Sequence, residues 1–312
     1  MGNVPMERLA AYQRPFTYTG VDYFGPLSVE VGRRVEKRWG VLFTCLTVRA
    51  IHLEVAHSLT TSSCILAIQR FIALRGKPVE IISDCGTNFV GASHELCEAW
   101  KEVNERQLAE EFTSSSFIWK FNPPGAPHFG GCWERLIKSV KKVLGEIKLP
   151  RLPTDEVLLS TFGEVQTIVN SRPLTHVPLN DEFEPPNHFL VGTANGEPLR
   201  AGLNVIATML KMSWKASQVL ANIFWKKWIK EYLPTLTRRT NWFAPVRPIE
   251  VGDIVLIVDG DLPRNTWPMG RVVKVVKASD GQVQRATVKT ANGFLERPAT
   301  KLAVLDVKVR EP

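Results

Sequence analysis

The sequence predicts an α/β domain with a mixed β-sheet and flanking helices, followed by a small all-β domain. Segments over residues 18–124 follow the order β-β-β-α-β-α-β, which is typical of an α/β domain whose strands form one sheet. Helical periodicity continues over residues 132–169. Residues 249–305 instead alternate Val and Ile with glycine-containing turns, which is typical of a small barrel of about five strands.

The strands of the first domain are predicted from short apolar segments. Residues 18–28 are apolar and aromatic, and residues 38–56 contain two β-rich runs on either side of Arg49, as expected of adjacent strands. The segment KPVEIISD predicts a short buried strand that ends at Asp84. The segment FIWKFNPP, residues 117–124, predicts another strand that two prolines terminate.

The helices of this domain are predicted from periodicity and from capping residues. The segment TTSSCILAIQRFIALRG begins with threonine caps and ends at Gly76, a frequent helix terminator. A charged helix is predicted over 93–111, and an amphipathic helix over 132–148. A further helix has Thr154 as its N-cap and runs to about Val169.

The basic excess of the chain lies in its last third. Residues 201–312 contain 18 Lys and Arg against 9 Asp and Glu, whereas residues 1–200 contain 21 against 22. This asymmetry favours a polyanionic partner for the C-terminal region. A solubilising surface is the alternative explanation, and charge alone does not decide between them.

The remaining composition bears on the cellular compartment. No apolar run approaches the roughly 18 residues that a membrane helix needs, and the N-terminus lacks a signal-peptide pattern. The five cysteines include no CxxC pair, so we expect reduced thiols rather than disulfides or a cysteine-rich zinc site. We therefore expect a cytosolic or nuclear protein without membrane association.

Three acidic residues stand at positions where a catalytic carboxylate is a reasonable interpretation. Asp22 lies inside a predicted strand, Asp84 lies where an apolar strand meets a turn, and Glu134 begins a helix. Each has an alternative: Asp84 as a turn former, Glu134 as a favourable charge at a helix N-terminus, and Asp22 as an isolated strand residue. Strand ends and helix starts converge in open α/β sheets, and divalent cations would relieve the repulsion between clustered carboxylates.

The segments around these carboxylates resemble a known family. GVDYFGPL, ISDCGTNFVGA and FNPPGAPHFGGCWERLIKSVK are similar to the three catalytic blocks of the integrase core of BEL/Pao-type LTR retrotransposons. TVRAIHLEVAHSLTT resembles the same group, and FWKKWIKEYLPTLTRRTNW, VGDIVLIVDGDLPRNTWPMGRVVKV and DGQVQRATVKT resemble the domain that follows that core. The resemblance covers nearly all of residues 13–306.

The resemblance implies a fold and an activity. It implies a DDE-type, RNase H-like polynucleotidyl transferase that joins retroelement DNA ends to target DNA, followed by an SH3-like barrel. Asp22, Asp84 and Glu134 would be the catalytic residues and would bind two Mg²⁺ or Mn²⁺ ions. DNA would be the partner, the protein would form a homo-oligomer, and it would work in the nucleus, with the cytoplasm as a second location.

Two departures from related integrases affect this interpretation. Forty-nine residues separate Asp84 from Glu134, more than in the retroviral pattern, and the charged segment 93–111 accounts for the extra length. Related integrases begin with a His/Cys zinc-binding domain, whereas this sequence starts at the core. We therefore expect a polyprotein fragment or a cellular gene derived from one. His52 and His57 lack a neighbouring CxxC and are not expected to bind zinc.

Basic residues around Glu134 and in the tail are the candidate DNA contacts. Lys138 and Lys141 share the helix face of Glu134, and Lys142 lies further round. The complete set of candidates is Lys138, Lys141, Lys142, Lys226, Lys227, Lys230, Arg238 and Arg239. Trp225 and Trp228 either stack on nucleic acid or, as we favour from their i,i+3 spacing, pack their helix against the core. His128 is either a DNA contact or, as favoured, a solvated loop residue.

We expect four segments and keep three rival functions open. The segments are the catalytic core over 13–172, an irregular linker over 173–210, an aromatic and basic helical segment over 211–244, and a separate SH3-like β-barrel domain over 245–308. The main rival is a domesticated, non-catalytic DNA-binding or chromatin protein that retains the fold. The others are a nuclease that cuts without joining, and a structural or interaction module.

Overall fold

The structure is a computed structural model of the 312-residue chain. It describes residues 10, 13–83, 94, 118–121, 133–145, 147, 152–173, 175–177, 182–192, 213–236, 248–258, 264–278 and 281–305, with the backbone alone for residues 133–137, 175–177, 182–184, 213 and 233–236. The predicted charged helix over 93–111 lies outside the described residues, apart from His94.

Within the described residues, the first sheet has five strands, with the longest at its centre. They are β1 (Tyr18–Val31), β2 (Arg34–Cys45), β3 (Ile51–Ala56), β4 (Glu80–Ser83) and β5 (Ile118–Phe121). The spatial order is β3-β2-β1-β4-β5; β2 runs antiparallel to both β1 and β3, whereas β4 runs parallel to both β1 and β5. This mixed order is the arrangement of an RNase H-like sheet, so the predicted fold class is confirmed.

Five α-helices have bounds within the described residues; the first lies between β3 and β4, and the other four follow β5. They are α1 (Thr61–Arg75), α2 (Trp133–Gly145), α3 (Asp155–Asn170), α4 (Pro186–Val191) and α5 (Ser213–Leu236). The predicted caps are confirmed: the Thr60 side chain accepts the Ser63 N–H, and the Thr154 side chain accepts the Val157 N–H. Gly76 ends α1 with a φ of 82°, a conformation that favours glycine.

The tail forms a second, all-β sheet of five strands. They are β8 (Ile254–Ile257), β9 (Met269–Lys277), β10 (Val283–Thr290), β11 (Gly293–Pro298) and β12 (Leu302–Val304), in the order β11-β10-β9-β8-β12. All neighbouring strands are antiparallel. The predicted β-rich tail is therefore present. The segment predicted to be an irregular linker contains a hairpin of β6 (Thr175–Val177) and β7 (Glu182–Glu184), and it also contains α4.

The two faces of the first sheet pack against different helices. Val21 of β1 packs with α1 residues such as Ile68 and Phe71. Phe24 lies on the other face, in a cluster that includes side chains of α2, α3 and α5. We call this second group the central cluster; its buried members on helices are Val140, Val143, Leu144, Leu158, Phe162, Val165, Ile168, Val169, Ala221, Phe224, Trp225, Trp228 and Ile229.

The tail packs on the core instead of standing apart from it. Leu256 of β8 and Ala303 of β12 are buried in the same central cluster as the helices. Trp267 donates from its indole N–H to the Ser171 hydroxyl (3.2 Å) and meets Trp225 edge to face. Sequence periodicity predicted that these tail residues are apolar, but it could not show that the core contributes to their burial.

Polar contacts reinforce this junction. The buried Arg264 guanidinium pairs with Glu164 of α3 (Nη1 to Oε2, 3.1 Å) and also donates to Gln218 of α5. The Gln218 amide in turn donates to Glu164 (2.7 Å), which closes a three-residue network. The Arg172 guanidinium is fully buried at the end of α3, where it donates to the Val169 carbonyl, and burial lowers its pKa.

Amide side chains of α3 cover the open edge of β3. The Asn170 side chain accepts the Ile51 N–H and donates to the Ile51 carbonyl, both at 2.8 Å. Gln166 accepts the Leu53 N–H at 2.7 Å. These contacts satisfy backbone groups that an edge strand otherwise presents for pairing with another chain.

Replacing Asn170 should therefore be costly although it lies outside the carboxylate site. In the Asn170→Leu variant, the N–H and carbonyl of Ile51 would be buried without partners, which predicts a loss of about 2–4 kcal/mol in unfolding free energy. Urea denaturation measures this loss. The Ser160→Leu variant, at an exposed position of the same helix, serves as the control and should change stability by about 0.5 kcal/mol or less. Equal losses in both variants would contradict the edge-cover interpretation.

A buried polar cluster lies under α1. His52 is almost fully buried, with its Nε2 3.1 Å from Glu54 Oε1 and its Nδ1 3.4 Å from Arg75 Nε. Because Arg75 can only donate, these contacts fit a neutral imidazole whose Nε2–H donates to Glu54. Burial lowers the pKa of His52, although its hydrogen bond with Glu54 acts in the opposite direction.

This cluster predicts a pH dependence of stability. A histidine whose pKa is lowered by folding contributes stability above its unfolded pKa of about 6.5 and loses that contribution as the pH falls through the folded pKa. The melting temperature should thus fall between pH 7 and pH 5, and His52→Gln should flatten that dependence. The exposed His57→Gln is the control and should keep the wild-type slope. An unchanged slope in folded His52→Gln would show that His52 is not the responsible group.

Two further findings concern thiols and membranes. Cys45 and Cys64 are buried free thiols, and burial raises the pKa of the Cys64 thiol to about 11. Cys85, Cys97 and Cys132 lie outside the described residues. Within the described ranges, no helix has the length and apolar character needed to cross a membrane.

Candidate active site

Asp22 lies on the central strand of the RNase H-like sheet. It pairs in register with Leu42 of β2 and lies on the same face as Phe24, which is the face that α2 and α3 cover. About 37% of its side chain is exposed. Its Oδ2 accepts a hydrogen bond from the Lys141 ammonium group of α2. The predicted first carboxylate is therefore within reach of an external ligand and close to the helix that carries the third.

Strand register places the residues of β4 that precede the second predicted carboxylate. β1 and β4 are parallel, and their last pair joins Gly20 to Ile82. Asp22 is two residues beyond Gly20, and Asp84 is two residues beyond Ile82. Asp84 itself comes directly after the last residue of β4 and lies outside the described residues. The sheet thus brings the chain to the same level on adjacent strands immediately before both aspartates.

Glu134 is the second residue of α2, and its side chain lies outside the described set. Seven residues separate it in number from Lys141, so at 100° per residue the two positions differ by about 20° around the helix. The Lys141 ammonium contacts Asp22, so this side of α2 faces β1. Glu134 is placed on the same side of the helix. Val140, Val143 and Leu144 fix α2 in the central cluster.

The lysines of α2 differ in their surroundings. The sequence predicted that Lys138 and Lys141 share an exposed face with Glu134. Lys138 is exposed, but Lys141 is only 26% exposed and is engaged by Asp22. Lys142 pairs with Glu231 of α5, with 2.7 Å between Nζ and Oε1. These lysines differ because α2 packs against both β1 and α5, and the helical pattern contains no information about either contact.

Some of the candidate DNA contacts in the tail lie on the surface. Lys226 and Lys230 are exposed on α5, and Lys227 is partly exposed. Arg238 and Arg239 lie outside the described residues, as does His128. Trp225 and Trp228 are buried in the central cluster, so the favoured packing interpretation is confirmed and neither ring can stack on nucleic acid.

Sequence reasoning missed the acidic partner that links α5 to α2. Glu231 is an isolated acid among the lysines of α5, and its pairing with Lys142 joins the tail helix to the helix that carries Glu134. The sequence offered one signal for this contact, which is a single acidic residue within a basic segment. Sequence periodicity could not show which of several distant lysines it meets.

A divalent metal fits the chemistry of these residues. In the part of the chain that the structure describes, no group of three His, Cys, Asp or Glu side chains could hold a metal ion. Two of the three predicted ligands contribute no described side chain, so Asp22 alone provides the structural test. Its carboxylate is partly exposed and already pairs with one cation, the Lys141 ammonium. Carboxylate oxygens are the donors that Mg²⁺ prefers.

Comparisons with known proteins gave one family, no curated relative and several solved structures. A family described as "Family of unknown function (DUF5641)" matches residues 212–305. No curated protein matches the chain. Similar structures include the HTLV-2 integrase catalytic core domain in complex with magnesium, in trimeric form, with 16% identity over 57% of this chain and 97% of that chain and a TM-score of 0.37.

Two further structures resemble the chain at a similar level. The dimeric form of the same HTLV-2 domain in complex with magnesium has 15% identity, covers 57% of this chain and 98% of that chain, and has a TM-score of 0.37. A simian T-cell lymphotropic virus intasome in complex with PP2A regulatory subunit B56 gamma has 13% identity, covers 95% of this chain and 80% of that chain, and has a TM-score of 0.36.

Proposed function

We propose that this chain is an integrase-like polynucleotidyl transferase that joins the DNA ends of a BEL/Pao-type retroelement to target DNA. One observation carries the proposal: Asp22 lies on the central strand of an RNase H-like sheet, level with the β4 end before Asp84, and contacts the helix that carries Glu134. Independent structural roles for the three carboxylates would not require this convergence of elements.

The roles of the chain's residues follow from this arrangement. Asp22, Asp84 and Glu134 would hold two Mg²⁺ or Mn²⁺ ions. When bound, these ions would supply charge neutralisation at the scissile phosphate and a lowered pKa for the attacking water or 3′-hydroxyl. The role of the three carboxylates would be to hold these cations, because anionic carboxylates by themselves would repel the phosphate. No covalent protein intermediate is required, so no serine or cysteine nucleophile is invoked.

The basic surface would position DNA beside this site. Lys138 on α2 and Lys226, Lys227 and Lys230 on α5 would bind backbone phosphates, which fix orientation without selecting a sequence. Arg238 and Arg239, which follow α5 in the sequence, are proposed as further phosphate contacts. A homo-oligomer would bring two element ends together, and the nucleus, with the cytoplasm as a second location, is the proposed site of action.

A strand-transfer assay tests the proposal. The full chain is incubated with a duplex that carries the element's own terminal sequence, a target plasmid, and Mg²⁺ or Mn²⁺. We expect covalent joining of element 3′-ends to target 5′-phosphates, abolished when the terminal 3′-hydroxyl is replaced by hydrogen. DNA binding without joining under either metal would favour the domesticated DNA-binding protein. Cleavage without joining would favour a nuclease.

The exposed Lys138 gives a separate prediction about DNA binding. If its ammonium contacts one phosphate, Lys138→Met should weaken binding to duplex DNA and reduce the slope of log K against log salt by about 0.9. Fluorescence anisotropy at several salt concentrations measures both quantities. Lys301→Met changes an exposed lysine of the 3₁₀ turn in the tail and should leave the slope unchanged. An unaltered slope in folded Lys138→Met would assign Lys138 to the solvated surface.

A further inference from the structure

We propose that Lys141 is an internal counter-ion that competes with the divalent cation for Asp22 and becomes available to a DNA phosphate once that cation binds. The inference rests on the proposed function, since it takes Asp22 as a metal ligand. It adds a regulatory consequence: metal binding would strengthen DNA binding through one lysine. DNA would in turn favour metal binding, because such coupling between two ligands is reciprocal.

The first step of the inference is the contact itself. The Lys141 ammonium donates to Asp22 Oδ2, across the junction between α2 and β1. Both side chains are partly buried, with 26% of Lys141 and 37% of Asp22 exposed. A carboxylate at such a site is stabilised by a nearby positive charge, and the Lys141 ammonium supplies that charge.

The second step is the incompatibility of two cations at one carboxylate. A divalent ion at Asp22 would lie close to the Lys141 ammonium, and like charges at that separation repel strongly at a partly buried site. The lysine has a flexible four-carbon stem, so its ammonium can leave while α2 stays in place. Val140 and Val143, the buried neighbours of Lys141 on α2, fix the helix backbone during that exchange.

The third step is the direction in which the ammonium can move. Lys138 lies one turn earlier on the same side of α2 and is exposed, so this side of the helix leads from Asp22 to solvent. A released Lys141 would therefore join Lys138 on the surface proposed to bind DNA. Lys142 is not equivalent, because its ammonium pairs with Glu231 of α5.

Metal binding alone tests the competition without turnover. Calorimetric titration with MnCl₂ in the absence of DNA compares the wild type with Lys141→Met, which keeps the apolar stem and removes the charge. We expect Mn²⁺ to bind Lys141→Met about two- to fivefold more tightly, the fold-change that corresponds to a partly exposed ion pair. Lys141→Arg should bind Mn²⁺ no more tightly than the wild type, and the control variant Lys301→Met, at an exposed lysine of the tail, should have wild-type Mn²⁺ affinity.

Salt-dependent DNA binding tests the release. With a random-sequence duplex, added Mn²⁺ should steepen the wild-type slope of log K against log salt by about 0.9 relative to Lys141→Met measured under identical conditions. In Lys138→Met the same Mn²⁺-dependent change should persist, because Lys141 is intact. Circular dichroism confirms that each variant is folded, and Lys141→Gln replaces Lys141→Met if the latter does not fold.

The outcomes separate this inference from the proposed function. Equal Mn²⁺ affinity in the wild type and the folded Lys141 variants, with weaker binding in Asp22→Asn, would overturn the counter-ion role and leave the metal site standing. Mn²⁺ binding that Asp22→Asn does not alter would overturn the metal site and hence the proposed function as well. Tighter Mn²⁺ binding in Lys141→Met without a Mn²⁺-dependent difference in salt slope would overturn the release to DNA.

Discussion

Asp22→Asn should reduce DNA joining by about 10³-fold or more, because metal-based charge stabilisation contributes several kcal/mol to such reactions and each 1.36 kcal/mol is a factor of ten. Asparagine keeps the size of the side chain but cannot balance the charge of a divalent ion. The substitution is compatible with folding, since the side chain is partly exposed on a strand whose apolar neighbours are unchanged. Initial rates of strand transfer at saturating DNA measure the effect.

A matched carboxylate distinguishes this effect from a general loss of charge. Glu156→Gln removes one negative charge from an exposed position in the first turn of α3 and should join DNA at a rate close to that of the wild type. Asp84→Asn and Glu134→Gln should behave as Asp22→Asn does, although neither side chain lies in the described part of the structure. Joining by Asp22→Asn at more than a tenth of the wild-type rate would remove Asp22 from the catalytic set.

Trp228→Ala should destabilise the whole chain by about 3–5 kcal/mol, the usual range for truncation of a buried tryptophan. Trp228 is fully buried where α5 meets α2 and α3, and it stacks between Phe224 and Tyr232. The loss would be a large part of the 5–15 kcal/mol that stabilises a typical domain. Urea denaturation followed by tryptophan fluorescence and by far-ultraviolet circular dichroism measures it.

Trp214 offers a control on the same helix. It is 47% exposed, so Trp214→Ala should change stability by about 1 kcal/mol or less.

A second experiment tests the association of the tail with the core by introducing a specific protease site between α4 and α5 of the full chain. The two fragments should stay associated after cleavage, because Phe224, Trp225 and Trp228 remain packed against the core. Separation of the fragments, or two independent unfolding transitions in the wild type, would show that the tail does not support the core.

Local features of this fold were predictable from sequence because they depend on neighbouring residues. Thr60, Thr154 and Gly76 delimit helices through contacts within one turn, and the strand before Asp84 is marked by its own apolar run. The alternation of Val and Ile likewise predicted the second sheet. The positions of Asp22 on a strand and of Glu134 at a helix start could be assigned for the same reason.

Long-range contacts could not be predicted, because nothing in a periodic pattern identifies the partner. Arg38 of β2 makes a bidentate ion pair with Asp155, 117 residues away, and this pair joins the sheet to the first turn of α3. The Lys141 contact with Asp22 spans 119 residues and changes the interpretation of that lysine. The contact between the tail and the core is of the same kind: the apolar residues of the tail predicted burial, but not that Leu256 and Ala303 would be buried against the core.

The central claim is that Asp22, Asp84 and Glu134 converge on one metal site. Anomalous diffraction from crystals of the full chain soaked in MnCl₂ tests it most directly. The account predicts two manganese peaks roughly 3.5–4 Å apart, with oxygen atoms of all three carboxylates within coordination distance of one or both ions and with Lys141 displaced from Asp22. Manganese bound elsewhere, or any one of the three carboxylates on the opposite face of the sheet, would contradict it.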